Sequence, residues 1–502
     1  MAEVEEIAST LENLRARMVE LVVRGLASVA PGDLSTLEVL TDSYERSGLI
    51  HITSRLRTML RAITGDTKAA PATLLSAYTS LHVFERVLSL EAATAAWAQA
   101  LAEADDDESR DDQHPAGEAA APAAVTNLPP AEQKQLAALL DELARAIEDL
   151  VRTGLTSATQ ATRDKLDVSF KEASRMKLLR LGATLRYVNE EVGRFLAHSE
   201  AFSAKRFVFF THRAWLLARG LAEALKEKND RVIARLSGTG APSPLPVRTI
   251  DVVTLGVFSR SVQNTCTFDF RLRVVKAEDP AHLGRSLVLG FVFGRKSIDI
   301  SAEAFLHLPQ PQKYHPKIFT EHNVLTVTGA AIALDDRGGG RLMIGPSGTV
   351  TQHSKSVPSW APFLEWHMHA AFQRAQTHTP SPLDLPNELQ EEVVLADWTC
   401  QDDPARTTPE RRVFTVRAHG LEFDAVAPGG AEGKTLASHL EKHSKRRPDP
   451  SKPCAPLYGL VHYELGRLVL SPLATIAADG PRHLMLTGEK INLTALLGSL
   501  QL

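Results

Sequence analysis

The stretch DAVAPGGAEGKTLASHL, residues 424–440, runs from an apolar strand through a glycine turn and Gly-Lys-Thr into a helical pattern. Two folds compete for it. A phosphate-binding loop needs G-x-x-x-x-G-K-[ST], so that successive backbone N–H groups wrap a phosphate while Lys reaches across it and Ser/Thr holds magnesium. Counting back from Gly433, the first glycine falls on position 428, which is Pro428 and lacks an N–H, and starting from Gly429 leaves the loop one residue short. Such a domain also needs several parallel strands and a downstream strand ending in Asp; the chain after Thr435 is hairpin-like, with no such Asp. The stretch therefore reads as a strand-to-helix turn made by Gly429, Gly430 and Gly433, with the helix capped near Thr435 and Lys434 on the surface.

Working outward, this turn falls in the second of two similar β regions. GGRLMIGPSGTV (339–350) and LGRLVLSPLATI (465–476) match at Gly340/Gly466, Arg341/Arg467, Leu342/Leu468, Pro346/Pro472 and Val350/Ile476. Strands are expected near 248–258, 265–276 and 285–293, then a short helical piece at 300–307, and again near 391–399, 411–418 and 420–427, then a helix at 433–445. Each region thus reads β-β-β-α-β-β, the order of a small five-stranded OB-type barrel, with another small barrel or a continuous sandwich as alternatives. SWAPFLEWHMHAAFQRAQ (359–376) reads as the helix leaving the first barrel, with Pro362 in its first turn.

The N-terminal half is helical and also doubled. A shift of 129 residues, without gaps, sets Leu11 on Leu140, Leu14 on Leu143, Gly25-Leu26 on Gly154-Leu155, Leu37 on Leu166, Val39 on Val168 and Leu49 on Leu178. Three more residues are inserted before Tyr78-Thr79-Ser80 matches Phe210-Thr211-His212. Each copy reads as a three- or four-helix bundle without the inward Glu or Glu-x-x-His pairs of metal-carrying bundles. The expected organisation is therefore α then β: bundles at 1–102 and 128–240, joined by an acidic and Ala/Pro-rich disordered linker at 103–127, then β-barrels at 245–378 and 388–502.

Composition narrows the function. The net charge of −4, from 56 basic and 60 acidic residues, provides no global field for nucleic acid or membrane. Cys266, Cys400 and Cys454 are odd in number and far apart, so they read as reduced thiols of a cytosolic protein. The acidic N-terminus has no apolar signal region, and no stretch reaches the roughly 18 apolar residues of a membrane span. The Ala/Arg/Leu-rich usage suggests a bacterial origin.

Candidate sites are few. His367 and His369 would diverge by about 200° on a helix, one toward the core and one toward solvent, and neither they nor His353 and His378 make a zinc spacing. GPSG (345–348) reads as a turn and Asp335-Asp336 as a hairpin tip. The basic signal is Arg271, Arg273, Arg295 and Lys296 on the first barrel and Lys442, Lys445, Arg446, Arg447 and Lys452 after the last helix, residues that could hold nucleic acid or a partner. The rings stacking would need, Phe268 and Phe270, alternate with Arg271 and Arg273 and so point to the core. Phe209, Trp215 and Leu216 widen one helical stripe and are a candidate protein interface. No catalytic, cofactor or metal residues are expected. The sequence is read as a non-enzymatic interaction or assembly subunit of the bacterial cytoplasm that binds protein partners. The alternatives are a single-stranded nucleic-acid-binding protein using the barrels and the 442–452 loop, and a divergent enzyme with scattered catalytic residues.

Overall fold

The computed structural model describes residues 2–65, 68–104, 130–200, 202–238, 244–262, 265–294, 300–335, 339–357, 359–383, 390–408, 411–429, 431–445, 454–464 and 467–487. Most of the expected linker at 103–127 lies outside the described residues, as do Arg295, Lys296, Arg446, Arg447 and Lys452. The chain forms two compact units: Met1–Ser89 with Ala119–Pro242 and Thr379–Asp384, and Leu90–Glu118 with Ser243–His378 and Leu385–Leu502. Among the described residues no helix is long and apolar enough to cross a membrane.

Helices α1 (Ala2–Arg24), α2 (Pro31–Arg46), α3 (Ile50–Thr64) and α4 (Ala70–Ala104) are followed by α5 (Pro130–Thr153), α6 (Gln160–Arg175), α7 (Leu179–Leu196), α8 (Ala204–Lys226) and α9 (Asp230–Ser237). Amphipathic spacing builds their shared core: Leu14, Met18, Val22, Leu74, Leu140, Val151, Leu185 and Leu217 are all buried. Local chemistry sets the boundaries. Ser203 caps α8 by accepting the Arg206 N–H at 3.3 Å, Asn229 caps α9 by accepting the Val232 N–H at 3.2 Å, and Gly238 ends α9 with φ +83°. α1 and α5 each stop at a glycine with positive φ, Gly25 at +91° and Gly154 at +76°, followed by the 3₁₀ turns Leu26–Ser28 and Leu155–Ser157.

The second unit opens with the end of α4, where Trp97 is fully buried, donates to the Tyr463 hydroxyl and meets the Trp366 ring at 5.2 Å. Strands β1 (Leu245–Val262), β2 (Thr265–Ala277), β3 (Ser286–Gly294), β4 (Asn323–Leu334) and β5 (Gly340–Ser356) close a barrel in the order β1-β2-β3-β5-β4. β3 and β5 run parallel, pairing Leu287 with Gly340 and Val288 with Arg341, while every other neighbour is antiparallel. Alternation along β2 puts Cys266, Phe268, Phe270, Leu272 and Val274 inside, as their spacing requires. Asp335 accepts the Gly339 N–H at 2.8 Å, so the described part of the β4–β5 turn is held by its own carboxylate.

After α10 (Met368–Thr377), the second sheet contains β6 (Glu391–Leu395), β7 (Thr399–Asp402), β8 (Arg411–Ala418), β9 (Leu421–Pro428), β10 (Leu457–Glu464), β11 (Arg467–Ala477) and β12 (Gly480–His483), with α11 (Ala431–Ser444) between β9 and β10. Its path is β6-β10-β11-β9-β8-β7, with β12 added to β11. β11 runs parallel to β9 through Leu468, Val469 and Leu470.

Four expectations change. Among the described residues the second β region does not close into a barrel: its first strand breaks between Leu395 and Thr399, where Asp397 takes φ +47°, and among these residues β6 pairs only with β10 and β7 only with β8. Residues 359–376 are not one helix, because a 3₁₀ turn at Ala361–Phe363 and then α10 divide them while Trp360 is held in the core. GPSG is not a turn between strands but a bulge within β5: its four residues, between Ile344 and Thr349, lie opposite the single residue Gly329, whose φ is +58°. α11 starts at Ala431, so Gly433 lies inside its first turn; a Cβ there would collide with the Pro428 carbonyl, which explains the glycine without any phosphate. Lys434 is exposed.

Candidate functional site

In the helical unit, the two glycines that end α1 and α5 face one another. A Cβ on Gly25 would overlap the Thr153 carbonyl and lie 2.6 Å from Gly154 N, and one on Gly154 would overlap the Arg24 carbonyl and Gly25 N. The Thr156 hydroxyl donates to the Arg24 carbonyl at 3.1 Å, joining one corner to the other. From this contact two helical hairpins extend, α2–α3 and α6–α7. Each leaves large apolar side chains in water: Val39 is 66% and Ile50 76% exposed in one, Val168 66% and Leu179 56% in the other. Val39 and Val168 obey the 129-residue shift, and so do Ile50 and Leu179. Scattered exposed apolar residues are ordinary, whereas the same two positions exposed in both hairpins form a pattern that a surface needs a reason to keep.

A buried polar cluster joins α4 and α8. His212 on α8 is fully enclosed; its Nε2 lies 2.8 Å from the Thr79 hydroxyl on α4, and the Tyr78 ring meets it edge-on at 4.8 Å. Thr79 already donates to the Leu75 carbonyl at 2.8 Å, so His212 donates to Thr79 and is the neutral Nε2–H tautomer. Burial, reinforced by His82, Arg15 and Arg213, lowers its pKa to about 3. His212 therefore stays neutral when folded and takes a proton when unfolded, so its contribution is complete above about pH 6.5 and is lost as pH falls toward 3. The urea midpoint is expected to drop across that window, with a slope contribution of up to about 1.4 kcal/mol per pH unit from this residue. In His212→Gln the deficit relative to wild type should narrow as pH falls; a constant deficit would rule this assignment out.

The residues singled out for interfaces take mixed positions. The Trp215 indole is buried and donates to Glu148 at 2.8 Å, Leu216 packs on the core, and half-buried Phe209 meets the His82 and Phe210 rings at 6.4 and 5.3 Å. These three serve helix packing. Arg271 donates to Gln390 at 3.3 Å, and Arg273 pairs with Glu392 at 3.0 Å, tying the barrel to the start of the second sheet. Lys445 pairs with Glu441 at 2.5 Å, and Glu441 also takes Arg412 at 3.1 Å; Lys442 is exposed. Of the described basic residues, Arg271, Arg273 and Lys445 are thus engaged by polar side chains of the chain itself. His367 and His369 are both exposed, because the helix starts only at Met368 and neither side chain turns inward. Among the described residues no group of three His, Cys, Asp or Glu could hold a metal ion.

The segment at 424–440 contributes Asp424, to which no sequence signal pointed. Arg406 gathers Asp424, Asp403 (2.6 Å) and Thr415 (3.0 Å). Burial raises the Asp424 pKa despite Arg406 and Arg467. The arrangement ties the loop after β7 to β8 and β9. These features define a two-part chain, a helical unit followed by a strand-rich unit with a closed five-stranded barrel. No family model matches it and no curated protein resembles it in sequence.

Proposed function

We propose that this chain is a non-enzymatic interaction or assembly subunit of a bacterial cytosolic complex, with an internally duplicated helical unit as its partner-binding part. Duplication is supported by elements that start in step: α2 and α6, α3 and α7 begin, and the two 3₁₀ turns fall, at one constant shift. Even the backbone sign is kept, Gly48 (φ +76°) matching Lys177 (φ +58°). For the β half we infer one OB-like plan used twice. The barrel order β1-β2-β3-β5-β4 corresponds to β7-β8-β9-β11-β10-β6 if β6 and β7 are halves of one first strand, and both carry the parallel pairing of third and fifth strands.

The observation that carries the functional reading is the paired exposure of Val39 with Ile50 and Val168 with Leu179. Two equivalent apolar sites suit a partner that engages twice, and linked contacts strengthen each other. Single-stranded nucleic acid is the poorer occupant, since Arg271 and Arg273 are held by Gln390 and Glu392 and the Phe268 and Phe270 rings are inside the barrel.

The test uses photo-crosslinking side chains placed at Val39 and at Val168 of the full chain in its own cells. One and the same protein is expected from both positions. With that protein purified, Ile50→Asp and Leu179→Asp should each weaken binding about tenfold, the roughly 1.4 kcal/mol of a hot-spot position, while stability stays within about 0.5 kcal/mol. Unrelated captures at the two positions, or unchanged binding in the double variant, would refute the proposal.

A further inference from the structure

We infer that Cys454 is a reactive thiol site for small hydroperoxides, with His443 as its proton acceptor. Three elements converge on it. His443, in the last turn of α11, places Nδ1 3.8 Å from the Cys454 sulfur. Trp398, just before β7, packs its ring against His443 at a tilt of 36°, with centroids 4.3 Å apart. The same indole donates at 3.0 Å to the carbonyl of Ala455, the residue after the cysteine. Ring, imidazole and thiol are thus fixed together, since Trp398 touches both the base and the segment that carries the nucleophile.

The other thiols are placed differently. Cys266 is fully buried inside the barrel. Cys400 donates to the Leu440 carbonyl at 3.7 Å, and burial pushes its pKa up to about 12, so it stays a thiol. Cys454 is half-buried, and an imidazole nitrogen lies beside its sulfur. A carbonyl cannot take the proton; a neutral imidazole nitrogen can.

The step balances. The sulfur passes its proton to His443 Nδ1 and attacks the terminal oxygen of the hydroperoxide. The O–O bond breaks and the departing alkoxide takes the proton from the imidazolium. Thiol and hydroperoxide become sulfenic acid and alcohol; sulfur loses the two electrons that the peroxide gains.

The experiment exposes the full chain to hydrogen peroxide with a cyclic 1,3-dione that traps sulfenic acid, and measures adducts at each cysteine by peptide mass spectrometry. Labelling at Cys454 is expected to exceed that at Cys400 and Cys266 at least about tenfold, and His443→Asn to lower it by about the same factor, a modest share of what proton transfer supplies. Equal labelling of Cys400 and Cys454 in the wild type overturns the inference, whether or not the variant folds. Undiminished Cys454 labelling in a folded His443→Asn chain overturns the role of the imidazole.

Discussion

Replacing Gly25 or Gly154 by alanine is expected to lower the stability of the helical unit by about 3 to 5 kcal/mol, combining the strain of a positive φ in an L-residue with backbone overpacking. At φ +91° and +76° both residues occupy conformations that side chains resist, and the two backbones touch where Cβ atoms would sit. Relaxation is restricted because the obstacle is a carbonyl and an amide rather than the end of a flexible side chain. Gly48 separates the two contributions. Its φ is +76°, but nothing lies within 4 Å of the site of its Cβ, and Lys177 occupies the matching position of the other hairpin with φ +58°. Gly48→Ala should therefore cost about 1 kcal/mol, the strain alone. Urea denaturation of the three single variants checks this; similar losses for Gly25→Ala and Gly48→Ala would mean that the glycine contact carries no packing role.

The legible parts of the fold are those set by local forces. Alternation along residues 265–276 placed Phe268, Phe270, Leu272 and Val274 on one face, and all are buried, because a period of two is fixed by the strand itself. The spacing of GGAEGKT excluded a phosphate loop, although α11 begins two residues before Gly433, since a backbone contact with Pro428 decides where the turn ends. The break of the first strand at Asp397 was not legible, because residues 391–399, EEVVLADWT, read as one continuous strand. Its cause is distant in sequence: the Trp398 indole is drawn to Ala455. The partners of the β2 arginines were not legible for the same reason, as Gln390 and Glu392 each lie 119 residues away. The matched pair Val39 and Val168 is in register in the sequence itself. That both face water depends on which stripe of the hairpin packs inward, and only the assembled helices decide that.

Glu191→Ala is expected to cost about 3 to 5 kcal/mol, the loss that accompanies removal of one partner from a buried ionic cluster. The Glu191 carboxylate on α7 is only 1% exposed. One oxygen accepts the Ser203 N–H at 3.0 Å; the other accepts Arg206 Nε at 2.9 Å and pairs with Arg194. Ser203 is also the cap of α8, so a single carboxylate holds the last part of α7 to the cap of the next helix. Removing it takes the acceptor from that N–H and leaves the Arg194 guanidinium, itself largely enclosed, without this carboxylate. Glu191→Gln keeps the shape and one acceptor oxygen but loses the charge, so it should cost less than the alanine variant. Position 62, which matches 191 under the shift of 129, is Ala62, so the first hairpin cannot form this cluster. Hydrogen exchange should therefore accelerate at the start of α8 in the alanine variant while α3 keeps its protection. Loosening of both hairpins alike would show that the carboxylate acts on the whole helical unit rather than on its own corner.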